Sequence, residues 1–385
     1  MEKIKVLQVN KLYYPEIGGI EKTLQQLSEG LSKQNDLEVL VCQKKGRGVS
    51  ECINGVRVYR ASSFGVVSSV PISITFIWKF RKMSKNKDIV HLHLPFPLGD
   101  LACLLSGYKG KVIVYWHSDV VKQKGWMLLY KPLMVRFLKR ADVILVGALG
   151  IAKGSKYLQP YLGKCREVPF AIEDRKLELG GQYLLKHGYK RNQKELSFLF
   201  VGRLVYYKGC SVLIEAFSKM NSNSELNIVG SGDLEIDLKD QCRKLNIENR
   251  VHFIGNASEE KLRLHLECAD VFVLPSIERS EAFALVQLEA MAYGIPVINT
   301  NLPSGVPEVS IHNETGLTVE PNNSVQLREA MEWMERNPRE RIEMGKAARY
   351  RVAENYTQKR MLNNLQEVYN ELMEDRLKKY DENSV

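Results

Sequence analysis

The sequence predicts an α/β protein built from two doubly wound, Rossmann-like domains. Three observations carry this expectation. The chain has 385 residues, more than one ordinary domain of about 100–200 and suited to two. Short Val/Ile/Leu-dense runs alternate with helical patterns, as parallel strands covered on both faces by crossover helices require. The alternation passes through the first half and then restarts near Ser197.

In the first half, strands are expected at Ile4–Val9, Glu38–Cys42, Val56–Tyr59, Asp88–His93, Lys111–Trp116 and Asp142–Val146. Helical patterns lie between most of them, for example Ile20–Lys33 and Met127–Arg140. The second half gives strands at Ser197–Val201, Glu225–Val229, Val251–Ile254, Val271–Leu274 and Pro296–Asn299. Glu173–Glu195 is charged, contains glycine and has no clear strand, so it reads as the linker. After Pro321 the chain turns helical through Val325–Arg336, Arg339–Asn355 and Tyr356–Lys379. The expected boundaries are a first domain over 1–185, a second over 186–355, and a C-terminal helix over 356–385 packing back towards the first domain.

Composition excludes several classes. With 44% hydrophobic and 26% charged residues the chain matches globular averages rather than disordered or coiled-coil ones. No apolar run reaches the ~18 residues that span a bilayer, and the start lacks a secretory apolar core. Seven scattered cysteines without a Cys-x-x-Cys pair argue against a disulfide framework and a zinc site. A cytosolic chain with reduced thiols, no metal and no cofactor is expected. Charge is uneven: residues 1–190 hold 31 Lys/Arg against 15 Asp/Glu, and the remainder 24 against 30. The basic half suits an anionic membrane surface or a lipid-linked pyrophosphate, or is simply a solubilising surface. Nucleic acid is not expected, because no zinc finger, RNP-like aromatic box or basic zipper is present.

Three motifs could carry chemistry. Asn10–Ile20, with Gly18-Gly19, follows the first strand and opens a helix, where free N–H groups and positive potential suit an anion. Val201–Gly209 leaves the first strand of the second domain; Arg203 can grip a phosphate bidentately and Lys208 adds a mobile point charge. Ser276–Glu289 places Glu281 and Glu289 around an apolar run, with Ser280 as an expected N-cap. If that run is helical throughout, the carboxylates stand roughly 12 Å apart, the reach of a nucleotide-sugar and too far for a glycosidase pair.

Together, Gly-Gly, Gly-Arg-x4-Lys-Gly and Ser-Glu-Ala-Phe-Ala-Leu-Val-Gln-Leu-Glu-Ala-Met resemble the signatures of glycosyltransferase family four, retaining enzymes of the GT-B fold. The resemblance covers nearly the whole chain, including Gly230-Ser231-Gly232, Ala269–Ser276 and Thr315-Gly316-Leu317. Trp116–Lys124 is similar to members that assemble bacterial surface polysaccharides such as O-antigen. The resemblance implies two Rossmann-like domains facing across a cleft. It implies that Arg203 and Lys208 hold a donor diphosphate with help from the Gly18 and Gly19 backbone. Glu281 would contact the sugar within a donor-binding segment that includes Ala282, Phe283 and Ala284, with Gly230 nearby, and Glu289 the ribose hydroxyls. His117 would reach the sugar near the reacting carbon. His91 and His93 alternate onto one strand face and read as structural or cleft-lining, not metal ligands.

Two departures stand out. The family commonly has Glu-Gly-Phe-Gly where this chain has Ala282 and Ala284, so any left-handed turn there carries strain. Its Gly-Gly-Pro-Glu-type segment appears as Ser304-Gly305-Val306-Pro307-Glu308.

The expected function is metal-independent, retaining transfer of a sugar from a GDP- or UDP-sugar to an undecaprenyl-pyrophosphate-type saccharide. The expected location is the inner face of the cell membrane. A sugar-nucleotide epimerase or hydrolase of the same architecture, and a non-enzymatic nucleotide-binding module, are the alternatives. A nicotinamide dehydrogenase would need Gly-x-Gly-x-x-Gly after the first strand, where the chain has Gly18-Gly19-Ile20-Glu21. The cation-flanked apolar span Lys122–Arg140 is the expected membrane contact, with Lys79, Arg81, Lys82 and Lys85.

Overall fold

Parallel strands organise both halves of the chain. The computed structural model describes residues 3–16, 18–67, 70–119, 124–189 and 195–382. The chain divides into two compact units, one of residues 1–170 with 358–385 and one of 171–357. The division therefore falls at 170/171 rather than at the expected 185/186. Within the expected linker, Asp174–His187 is a helix. Asp174, Arg175, Glu178 and Lys186 are exposed, while Gly180 and Leu184 are buried, which is why composition alone read as a linker.

The first unit contains strands β1 (Lys5–Val9), β2 (Asp36–Cys42), β3 (Val49–Ile53), β4 (Val56–Ala61), a short hairpin β5 (Val66–Val67) and β6 (Val70–Pro71), then β7 (Ile89–Leu94), β8 (Lys111–Trp116), β9 (Val143–Val146) and β10 (Cys165–Glu167). The main sheet runs β10-β9-β8-β7-β1-β2-β4-β3, parallel except for the β3–β4 pair. Helices α1 (Gly19–Leu31), α2 (Ile74–Ser84), α3 (Pro97–Leu105), α4 (Lys124–Arg140) and α5 (Leu149–Gly154) join them. Sequence reading missed β3 and β10 because both are short and mostly exposed, with no buried apolar run to announce them.

The second unit contains the linker-region helix α6 (Asp174–His187) and strands β11 (Ser197–Val201), β12 (Glu225–Val229), β13 (Val251–Gly255), β14 (Val271–Val273), β15 (Val297–Thr300) and β16 (Gly316–Val319). They form an all-parallel sheet in the order β13-β12-β11-β14-β15-β16. That is the 3-2-1-4-5-6 order of a dinucleotide-fold sheet. Its helices are α7 (Cys210–Ser218), α8 (Glu235–Lys244), α9 (Glu259–Cys268), α10 (Leu285–Ala292), α11 (Val306–Val309), α12 (Ser324–Arg336) and α13 (Pro338–Asn355). Phe198, Phe200, Leu213, Phe217 and Ile228 lie in its core.

Helix α14 (Gln358–Glu382) belongs to the first unit. Met361, Leu365, Tyr369 and Leu372 recur at helical spacing and are buried. Asn35 Nδ2 donates to Gln366 Oε1 at 2.7 Å, and Arg166 pairs with Glu371.

Candidate active site

The direction of chain progression across the second sheet reverses between β11 and β14. Sheets of this kind bind ligands in the crevice outside the carboxyl ends of those strands. The loops that leave them, 202–209 and 274–284, are locked to each other: Ile277 N donates to Tyr207 O at 2.8 Å. Gly209 is left-handed at φ 70°, and a Cβ there would stand 1.9 Å from Pro275 O. Only glycine lets the two loops approach this closely. Gly230, at φ 131°, likewise lies against Gly202 O, so it shapes the first loop from behind.

Lys208 Nζ lies 2.5 Å from Glu281 Oε2, and Ser276 Oγ donates to the same oxygen at 3.0 Å. All three side chains are buried. Arg203 is exposed, and its guanidinium donates to Tyr207 Oη at 3.2 Å. The loop pair therefore presents an exposed guanidinium beside a buried ammonium–carboxylate pair. An anion suits the first, and hydroxyl groups suit the second.

Glu281 is not on a helix. Helix α10 begins at Leu285, and its N-cap is Ala284 rather than Ser280, whose buried Oγ has no hydrogen-bond partner among the described residues. Phe283 is buried and Ala282 O accepts from Gly305 N at 2.7 Å, which holds 281–284 as a loop. The helical spacing expected between Glu281 and Glu289 thus does not apply. Ala284 has φ 57° and ψ 71°, so the strain expected of an alanine in this segment is present. Glu289 Oε1 accepts from Lys176 Nζ at 2.6 Å. Burial opposes the Lys176 charge, but Glu289, helped by Glu173 and Glu259, outweighs it and raises the ammonium pKa.

In the first unit, His117 directly follows β8 and is 8% exposed. Its Nε2 lies 2.9 Å from His93 Nδ1, and its ring stacks on Phe170 with centroids 5.1 Å apart. Burial, then His93 and Lys11, hold its pKa well below 6.5, so the imidazole is neutral at pH 7. His91 and His93 do share a face, stacked at 4.9 Å. Gly18 is the extended N-cap of α1. A Cβ at Gly18 would collide with Glu21 Oε2, so this helix start already carries the protein's own anion, whereas Gly19 faces open space.

Sequence reasoning left Ser276 and Tyr207 without roles although both lie in the quoted motifs. It also passed over Gln8, whose signal was available: one amide in the otherwise apolar Val6–Val9 run.

Residues 17–148 match the family model described as Glycosyltransferase Family 4, and residues 185–351 that described as Glycosyl transferases group 1. The chain is 32% identical to D-rhamnosyltransferase WbpZ of Pseudomonas aeruginosa over 92% of each chain. It is 30% identical to the O-antigen chain mannosyltransferase C of Escherichia coli, over 97% of this chain and 100% of that one. The Anabaena protein HepE, solved in complex with UDP, superposes with a TM-score of 0.75 at 15% identity, over 96% of this chain and all of that one.

Proposed function

Because the chain belongs to the family 4, group 1 glycosyltransferases, with their GT-B fold, we propose that it moves a hexose from a GDP- or UDP-sugar to a lipid-linked saccharide in surface-polysaccharide assembly. The observation that carries this is the Arg203 guanidinium beside the Lys208–Glu281 pair at the reversal point of the second sheet. The two cations hold the donor diphosphate, and Glu281 takes the sugar hydroxyls. Glu289 takes the ribose, His117 contacts the sugar, and the Ala282–Ala284 segment closes over the donor. Gly18 and Gly19 help only once Glu21 turns aside.

Departure of a nucleoside diphosphate leaves an oxocarbenium-like sugar, and fixed cations aimed at the developing phosphate charge stabilise that state. The leaving phosphate then accepts the acceptor's proton, so neither a metal nor an enzymatic nucleophile is required. Configuration is retained. The names of the relatives support a transferase over an epimerase, hydrolase or binding module. The test is donor consumption with and without a lipid-linked acceptor.

The acceptor's lipid places the enzyme at the inner face of the cell membrane. Among the described residues no helix is long and apolar enough to cross one. In the α4 span expected to dock, Tyr130, Met134, Phe137 and Leu138 are buried, while Leu128, Lys131, Arg136 and Lys139 are exposed. Arg140 bonds Asp142 and the carbonyls of Tyr108 and Gly110. Lys122 lies outside the described residues. A second surface is α2 with the preceding hairpin. Phe64, Ile74 and Trp78 are 74%, 73% and 70% exposed, and Lys82 lies over the Trp78 ring. Lys79, Arg81, Lys82 and Lys85 lie on or just after α2, whereas Arg57, Arg60 and Lys87 pair with Asp36, Glu38 and Glu51. Apolar and aromatic tips ringed by cations fit an anionic lipid surface.

A further inference from the structure

The first sheet buries more polar chemistry than its core needs. Gln8 lies on β1, His91 and His93 on β7, and His117 just beyond β8, three neighbouring strands. Gln8 pairs in register with His91, and His93 with Tyr115. Every one of these polar side chains is buried, and Tyr369 of α14 closes the cluster from one side. Gln8 Nε2 donates to Tyr369 Oη at 2.9 Å and stands 3.2 Å from His91 Nδ1. Gln8 Oε1 faces His93 Nε2 at 2.9 Å, and His93 Nδ1 faces His117 Nε2 at 2.9 Å.

This chain of contacts has a polarity. Burial drives the His93 pKa down to about 3 and that of His117 well below 6.5, so both rings are neutral. A neutral imidazole has one N–H and one lone pair. His93 gives its N–H to the carbonyl oxygen of Gln8, which leaves its lone pair on Nδ1. His117 must then supply the hydrogen between the two rings from Nε2. The remaining lone pair of His117 is on Nδ1, which no group among the described residues engages. The stacked rings of His93, Tyr115 and Phe170 fix the plane in which that lone pair lies.

We infer that Gln8 and His93 are positioning residues that hold His117 as the Nε2–H tautomer, so that Nδ1 meets the substrate as a hydrogen-bond acceptor. The inference rests on the reading of His117 as a sugar contact. It adds a selection rule: the facing group must be a donor, a sugar hydroxyl, because a phosphate oxygen would meet a lone pair. Tyr369 extends the relay to the C-terminal helix by orienting the Gln8 amide.

The test is nitrogen NMR of the full chain with labelled imidazoles, His117 being assigned by the signals missing from His117→Gln. The expected wild-type spectrum has a protonated Nε2 and an unprotonated Nδ1 on His117 between pH 6 and 8. His93→Phe keeps the ring stack but removes the acceptor; it should give mixed tautomers and about 10²-fold lower turnover, with donor KM little changed. His93→Asn, whose side-chain oxygen can stand near the lost Nδ1, should restore the tautomer and recover turnover relative to His93→Phe. Gln8→Leu should mix the tautomers as His93→Phe does. An Nδ1–H tautomer or an imidazolium in the wild type overturns the inference, as does an unchanged tautomer in both His93→Phe and Gln8→Leu. Should a variant fail to fold, the wild-type spectrum still decides. Full turnover in His117→Ala would instead remove the sugar-contact reading and leave the tautomer result standing.

Discussion

Arg203 and Lys208 carry the same charge in the same loop, yet their surroundings give them different consequences. Arg203 is exposed and held by one tyrosine hydroxyl, so Arg203→Ala should leave the melting temperature nearly unchanged. Its turnover should fall roughly 10²–10³-fold through lost stabilisation of the leaving diphosphate. Lys208 looks from sequence like a solvated loop residue, but it is buried against Glu281. Removing it strands a buried carboxylate, which costs about 3 kcal/mol of stability in addition to activity. Thermal melts beside turnover assays separate the two, and equal melting of both variants with wild type would contradict the buried pair. Stability should also have an optimum in pH. Burial keeps His91, His93 and His117 below their ordinary 6.5, so the unfolded chain binds protons that the folded chain refuses. Their contribution is complete above pH 6.5 and lost as pH falls below it. Asp100 acts oppositely: burial lifts it to about 8 from 3.8, so its contribution declines as pH rises between those values. Denaturant unfolding at pH 5, 6.5 and 8 should show the greatest stability near 6.5. A steady rise from 5 to 8 would contradict the Asp100 contribution, and a steady fall the histidine contribution.

Among the elements, α10 shows best what a motif can and cannot tell. Its residues resemble a donor-site signature, but its start was not legible. Apolar spacing favoured a helix from Ser280, while the Gly305–Ala282 hydrogen bond and the burial of Phe283, both tertiary, hold 281–284 as a loop until Ala284 turns left-handed. The strain itself was readable, because the resemblance implies a glycine where this chain has Ala284. Ala284→Gly should therefore stabilise the protein by about 0.5–1 kcal/mol, the relief of the left-handed penalty exceeding the entropy that glycine adds to the unfolded chain. A lower melting temperature in that variant would show that the turn is unstrained. The buried strands were legible because both faces are covered and their apolar runs are continuous. β3 and β16 were not: the first is an exposed edge, and the second is a four-residue strand beside turn residues. The relay through Gln8, His93 and His117 depends on strand order β8-β7-β1, which no local pattern encodes.

For the molecule as a whole, the basic first half and acidic second half are the feature that composition announces. Helix α2 carries Lys79, Arg81 and Lys82 with exposed Ile74 and Trp78, and Lys82 lies over the Trp78 ring; each basic residue near an anionic surface contributes ~1 kcal/mol. The full chain should sediment with anionic vesicles, lose that binding as salt rises, and bind neutral vesicles poorly. Changing Phe64, Ile74 and Trp78 to Ser should abolish sedimentation while leaving turnover of a soluble acceptor intact; binding that survives the triple change would place the docking surface elsewhere. The central claim is transfer, and its most direct measurement follows labelled sugar from a panel of GDP- and UDP-sugars into a lipid-linked acceptor, with EDTA present. The expected result is a glycolipid product that retains the donor's anomeric configuration, depends on the acceptor, and is lost in Arg203→Ala. Equal donor consumption without acceptor, an absolute need for added magnesium or manganese, or full transfer by Arg203→Ala would contradict it.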